Sequence, residues 1–108
     1  MSEKKIFSYE DAVALLPEVE RLTRAAVDVL ETLMDSSEGE VPAGAESEYE
    51  KVVGDWARSI LSLGIEVKGL WLVDFDNGSG YYCWKYPETS LQYFHGYEEG
   101  FGGRVRLN

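Results

Sequence analysis

One cysteine cannot close an internal disulfide or supply a four-thiolate zinc site, so neither covalent staples nor a zinc-ribbon framework holds this chain together. Such a chain suits a reducing compartment. Basic residues are scarce as well: ten Lys and Arg face twenty Asp and Glu, a formal charge of -10. A polyanion repels nucleic acid and anionic lipid, so neither is expected as a partner, and a solvated acidic surface is a more economical reading than a mimic of DNA. No apolar run approaches the roughly 20 residues of a membrane span. Only Ile6 and Phe7 follow Met1 to Lys5 before polar residues return, so no signal-peptide core is expected and the protein reads as cytoplasmic. Histidine occurs once, without a HExxH or paired-cysteine spacing, and no catalytic motif of known mechanism is present.

What is there suffices for one core. A chain of 108 residues, 44% of them hydrophobic, reads as a single domain spanning 1–108; at this size roughly 65% of the unfolded surface can be buried. The acidity is unevenly placed. Residues 1–64 carry fourteen acids against six bases, and residues 65–108 carry six against four. The first part is therefore expected to be a solvated helical frame, 8–64, and the second a β-rich part, 65–108.

Ser8 and Asp11 have the spacing of a capping box. A helix is expected from there, with Ala12, Leu15, Val19, Leu22, Ala26, Val29 and Leu33 as a three-four seam that Leu16 and Leu30 widen. Pro17 inside it predicts a bend. Residues 35–48 combine Gly, Pro and Ser with five acids and no base, which predicts a loop. Ser47 and Glu50 repeat the capping spacing, and Tyr49, Val53, Trp56, Ile60 and Leu63 form a second seam that Gly64 ends. From Ile65 the period becomes two, with Trp71, Val73 and Phe75 on one side and Leu70, Leu72 and Asp74 on the other. Asp76-Asn77-Gly78-Ser79-Gly80 predicts a hairpin into the aromatic run Tyr81–Tyr86, which Pro87 stops. Leu91–Tyr97 is a third strand, with Leu91, Tyr93, His95 and Tyr97 on one face. The glycine-rich ending is expected to be irregular until Val105.

The side chains that could carry chemistry fall mostly between Ile65 and Arg104. Asp74, Cys83, Glu88, His95, Glu98 and Glu99 are transition-metal ligand types, and His95 with Glu99 four residues on would converge if that segment turned helical. Scattered carboxylates around one His lack ligand spacing, so no metal and no cofactor is expected, and His95 reads as a hydrogen-bonding residue of the sheet. Cys83 as a nucleophile with His95 as its base requires a proximity that only the fold supplies. Gly100 to Arg104 superficially suits a phosphate, but no helix follows to complete the site; a turn clamped by Arg104 to Asp74 or Glu99 is the simpler reading. The aromatics Tyr81, Tyr82, Trp84, Tyr86, Tyr93 and Phe94 could stack bases, yet the few cations nearby favour a core and interface role.

Several segments carry a family resemblance: Phe7 with Glu10, Ala12 and Leu15-Leu16-Pro17-Glu18; Leu72-Val73-Asp74-Phe75; Cys83-Trp84-Lys85; Glu88; His95; and Glu99-Gly100-Phe101 to Gly103-Arg104. In their order and spacing they resemble the bacterial domain-of-unknown-function family 2203. The chain departs from it at Phe94, where the family has Trp, and at Gly96, where a polar residue is usual. The resemblance implies a small bacterial protein of helical hairpin and sheet, and it brings no established activity.

The fold expected is α+β: a bent antiparallel helical hairpin packed on a small antiparallel sheet of about three strands, with a Gly-rich C-terminal tail. The apolar seams and the Tyr- and Trp-rich sheet point to a non-enzymatic interaction or assembly module that forms a homodimer through its helices. The alternative is a small-ligand or metal-dependent activity using Asp74, Cys83, His95, Glu99 and Arg104. Convergence of these five on an open cleft would favour the alternative.

Overall fold

The computed structural model describes residues 5–34 and 42–107. Half of the expected acidic loop, residues 35–41, lies outside the described residues.

Helix α1, Tyr9–Met34, begins where the sequence places it. Ser8 Oγ accepts the Asp11 amide at 3.0 Å, and Asp11 Oδ2 accepts the Ser8 amide at 3.4 Å, which satisfies two donors left over at the helix start. The helix runs unbroken through Pro17. Its buried stripe is Ala12, Leu16, Val19, Thr23, Ala26 and Leu30. The stripe keeps Ala12, Val19 and Ala26 of the expected seam and both widening residues, Leu16 and Leu30, but is turned away from its other side: Leu15 and Leu22 are half-buried, and Val29 is 52% exposed. Helix α2, Glu46–Ser62, starts one residue before the predicted cap, with Ala45 at the N-cap and no side-chain cap bond. Ser47 is therefore inside the helix. Trp56 and Ile60 are its buried residues, and Gly64, with φ of 85°, takes the left-handed conformation that stops it. Among the described residues no helix is long and apolar enough to cross a membrane.

Among the described residues the sheet has five strands rather than about three: β1 Glu66–Gly69, β2 Leu72–Asp76, β3 Tyr81–Lys85, β4 Tyr93–His95 and β5 Val105–Arg106. All neighbours are antiparallel in the order β1-β2-β3-β4-β5, an up-and-down meander. Two hairpins account for the difference. The run from Ile65 to Phe75, one period-two stretch in the sequence, is folded back on itself at Leu70 and Trp71. Trp71 sits at φ of 60°, uncommon for a bulky residue, and its surroundings hold it there. Its ring meets Trp56 edge-on with centroids 4.9 Å apart, and its carbonyl accepts the Tyr86 amide at 3.0 Å. The Gly-rich ending before Val105 is a turn rather than an irregular stretch, and a strand begins at Val105, where regular structure was expected to resume. Phe101–Gly103 forms a 3-10 turn, and Val105 pairs with Phe94 as the edge strand β5.

The pleat sorts the sheet into two faces. Val73 lies opposite Trp84 and Phe75 opposite Tyr82; Val73, Phe75 and Trp84 join Phe7, Leu16, Val19, Trp56, Ile60 and Leu91 in the core beneath the helices. The intervening residues, Asp74 opposite Cys83 and Asp76 opposite Tyr81, project from the other face. Polar side chains there would ordinarily meet water. Asp74 and Asp76 are nevertheless 1% and 2% exposed, because the segment after β4 folds back over them. The Tyr97 hydroxyl donates to Asp76 Oδ1 at 2.7 Å.

Candidate functional site

Three neighbouring strands each place one reactive side chain on this second face. Asp74 on β2 lies directly across from Cys83 on β3. His95 on β4 pairs with Tyr81, which puts it diagonal to Cys83 on the same side of the sheet. The result is a buried focus: the ligand-type atoms of Asp74, Cys83 and His95 all lie within 4.8 Å of one another. His95 Nε2 is 2.9 Å from Asp74 Oδ2, and Nδ1 is 2.9 Å from the Gly96 carbonyl oxygen. The second carboxylate oxygen, Asp74 Oδ1, is buried and has no hydrogen-bond partner among the described residues.

Burial and the adjacent Asp74 carboxylate push the Cys83 thiol up to about 12, against the opposing pull of Arg104. A thiol held there stays protonated at neutral pH, so the arrangement does not activate Cys83 as a nucleophile with His95 as its base.

The focus forms the floor of an open cleft of about 400 Å³. Leu72, Tyr81, Tyr97 and Phe101 give it apolar and aromatic walls, and Lys68, Glu98 and Glu99 stand around it. Lys68 is paired with Glu66 at 3.0 Å and lies 4.6 Å from the Tyr81 ring centre. Glu99 reaches the cleft but is not a ligand neighbour of His95; its Oε1 accepts the Gly96 amide at 3.0 Å and closes the turn after β4. The separation has a local cause: this segment forms a turn rather than the helix that would superpose positions four apart.

Arg104 belongs to a neighbouring arrangement. Its Nη1 contacts both oxygens of Glu88, at 3.0 and 2.8 Å, so the carboxylate it takes is neither Asp74 nor Glu99. The guanidinium lies 3.9 Å from the Tyr93 ring centre and 4.1 Å from that of Phe101. Glu88 Oε1 also accepts the Lys85 amide at 2.9 Å. Cys83 Sγ, 4.0 Å from Arg104 Nη1, lies between the two polar groups.

Four of the five side chains singled out for a ligand role thus line one cleft, and Arg104 buttresses it from beside Cys83. Sequence reasoning missed the walls. Tyr81 and Tyr97 were legible as alternating strand residues, but nothing local indicates that Phe101 returns over the same face.

This geometry defines a class: a two-layer α+β domain carrying a buried Asp–Cys–His focus beneath a cleft on the sheet face away from its helices. The chain belongs to the family described as uncharacterized conserved protein (DUF2203), whose match spans residues 5–107. No curated protein and no solved structure matches it.

Proposed function

We propose that the protein binds a small ligand in the cleft above Asp74, Cys83 and His95, with the His95–Asp74 pair available to give or take a proton there. One observation carries this reading. The three side chains converge at the floor of a cleft of about 400 Å³, within the range of small-molecule sites. Around it Asp74, Glu98 and Glu99 outnumber Lys68, whose charge is already engaged by Glu66. A ligand bearing positive charge or several hydrogen-bond donors therefore fits better than an anion. Imidazole beside carboxylate is a common acid–base pairing, and the open cleft gives a substrate access to it. A reducing, cytoplasmic setting in a bacterial cell is part of this proposal, in keeping with the single cysteine. The test is a library of small amines and polyols screened by amide NMR. Shifts confined to Tyr81, Tyr97, Phe101 and their neighbours are expected; a library that perturbs none of them removes the reading.

A second reading, self-association through the helices, is supported by a separate feature. Helix α1 has 26 residues and α2 has 17, lengths of about 39 and 26 Å at 1.5 Å per residue, so part of α1 extends beyond its partner. A shallow groove lined by Leu22, Ala26, Val29, Val52 and Trp56 lies between them. This reading makes the protein a non-enzymatic assembly module that forms a homodimer. Sedimentation at high micromolar concentration checks it, and a monomer there excludes it.

A further inference from the structure

The donor and acceptor inventory at His95 leaves one positive charge to be supplied. A carbonyl oxygen only accepts, so Nδ1, 2.9 Å from Gly96 O, is the nitrogen that carries a proton. Nε2 then faces Asp74 Oδ2 at 2.9 Å. An imidazole lone pair and an ionised carboxylate oxygen do not rest at that separation unless a proton or a metal cation lies with them. Asp74 Oδ1 poses the same question independently. It belongs to a side chain 1% exposed and, among the described residues, has no hydrogen-bond partner, a state that native proteins rarely leave uncompensated. Cys83 Sγ stands beside both groups, within 4.8 Å of the other ligand atoms.

We infer that Asp74, Cys83 and His95 together hold a borderline divalent transition metal of the zinc class, through the carboxylate, the thiolate and Nε2. The inference rests on the cleft reading above and gives its floor a cofactor, which takes the place of the proton that His95 and Asp74 would otherwise exchange with a ligand. The ligand set selects the metal: thiolate and imidazole suit zinc and its neighbours, whereas magnesium and calcium require oxygen ligands. Tetrahedral zinc places its sulfur, nitrogen and oxygen ligands about 3.3–3.6 Å apart. The three atoms therefore need shifts of only about an ångström, with Nε2 and Oδ2 parting slightly and Sγ closing in.

The protonation balance is simple. The metal replaces the thiol proton and the proton between Nε2 and Oδ2, both of which pass to solvent, and the two anionic ligands neutralise a divalent charge. The Gly96 carbonyl, by accepting from Nδ1, fixes the tautomer and leaves Nε2 to coordinate, as orienting groups behind metal-bound histidines do. Arg104 is the nearby opposing charge, and Glu88 offsets it. Three protein ligands leave a fourth position. On this face it opens to the cleft, the pattern of sites that bind water or substrate on the metal rather than close around it.

The test uses the full chain, stripped with a chelator and titrated first with Co²⁺ alone and then with Zn²⁺ alone. One Co²⁺ per chain should give a thiolate-to-cobalt charge-transfer band and four-coordinate visible bands, which Zn²⁺ then abolishes. His95 is the sole histidine, so a ¹⁵N ring spectrum reports on it without assignment. Zn²⁺ should move the Nε2 resonance and leave Nδ1 protonated. Cys83→Ala should abolish the charge-transfer band and weaken binding by at least about 100-fold, beyond the usual loss of a supporting contact. Glu18→Gln, at an exposed carboxylate of α1, should leave binding unchanged. Absence of binding overturns the inference, and so does binding without the thiolate band or the His95 shift, which would place the ion on surface carboxylates. If Cys83→Ala fails to fold, the wild-type ring spectrum still decides. Should metal fail while amines or polyols still shift Tyr81 and Phe101, the cleft stands and only the metal falls. Metal bound with the thiolate band and the His95 shift, while no amine or polyol perturbs the cleft, upholds the metal site and removes the small-ligand reading.

Discussion

Replacing Arg104 should loosen the C-terminal edge of the sheet. Its side chain is 12% exposed, contacts both Glu88 oxygens, and lies between the rings of Tyr93 and Phe101. Two partly desolvated cation–π contacts contribute about 1 kcal/mol each, and the charged hydrogen bonds about 1.5 kcal/mol together. Glu88 keeps its bond from the Lys85 amide, so it is not wholly orphaned when Arg104 is lost. Arg104→Ala should therefore destabilise the fold by about 2–4 kcal/mol. Arg104→Lys retains the charge near Glu88 but not the planar stack, so about half that loss is expected. Urea unfolding followed by tryptophan fluorescence measures both, and at about 4 °C per kcal/mol the Ala variant should melt roughly 8–16 °C lower. A double-mutant cycle with Glu88→Gln should return a coupling of about 1 kcal/mol. An Arg104→Ala protein within about 0.5 kcal/mol of the parent would refute the reasoning, since the ion pair and both ring contacts would then be energetically idle.

Three further outcomes follow from other parts of the fold. Thr23 Oγ1 donates to the Val19 carbonyl and accepts from Trp56 Nε1 at 2.8 Å, so Thr23→Val should orphan the indole and lower stability by about 1–3 kcal/mol in the same urea assay. At Gly80 an added Cβ would lie 2.6 Å from the His95 carbonyl oxygen, so Gly80→Ala should push β4 off β3 and destabilise the fold by about 3 kcal/mol; a melting temperature equal to the parent's would contradict that close approach. The Cys83 thiol is raised from 9.0 to about 12, so with chelator present the folded state holds its proton more tightly than the unfolded state. Its contribution is complete below pH 9 and is lost as pH rises through about 12, and Cys83→Ala should flatten that alkaline decline in unfolding free energy.

The features legible from residue order alone lie within a few residues of each signal. The Ser8–Asp11 cap, the Gly64 stop and the Asp76–Gly80 hairpin are written in backbone sterics and short-range hydrogen bonds, which operate wherever the chain is placed. The two helices and the two-layer α+β architecture follow from apolar periodicity in the same way. Tertiary structure decided the rest because several local solutions were equivalent. On α1 the apolar residues Ala12, Leu16, Val19, Ala26 and Leu30 are buried as their periodicity suggests, whereas the burial of polar Thr23 among them depends on the Trp56 indole reaching it from the other helix. Trp71 accepts a strained turn because a ring on α2 and an amide after β3 engage it, neither of which a local pattern encodes. The short run at Val105–Arg106, legible only as the end of the irregular stretch, becomes an edge strand because β4 presents an unpaired edge. Asp74, Glu88 and Glu99 are alike as partners for Arg104, and the path of the chain assigns Glu88 to it and leaves Asp74 for His95. Residue types made the Asp74–Cys83–His95 focus conceivable; cross-strand register over twenty-one positions brought the three side chains together.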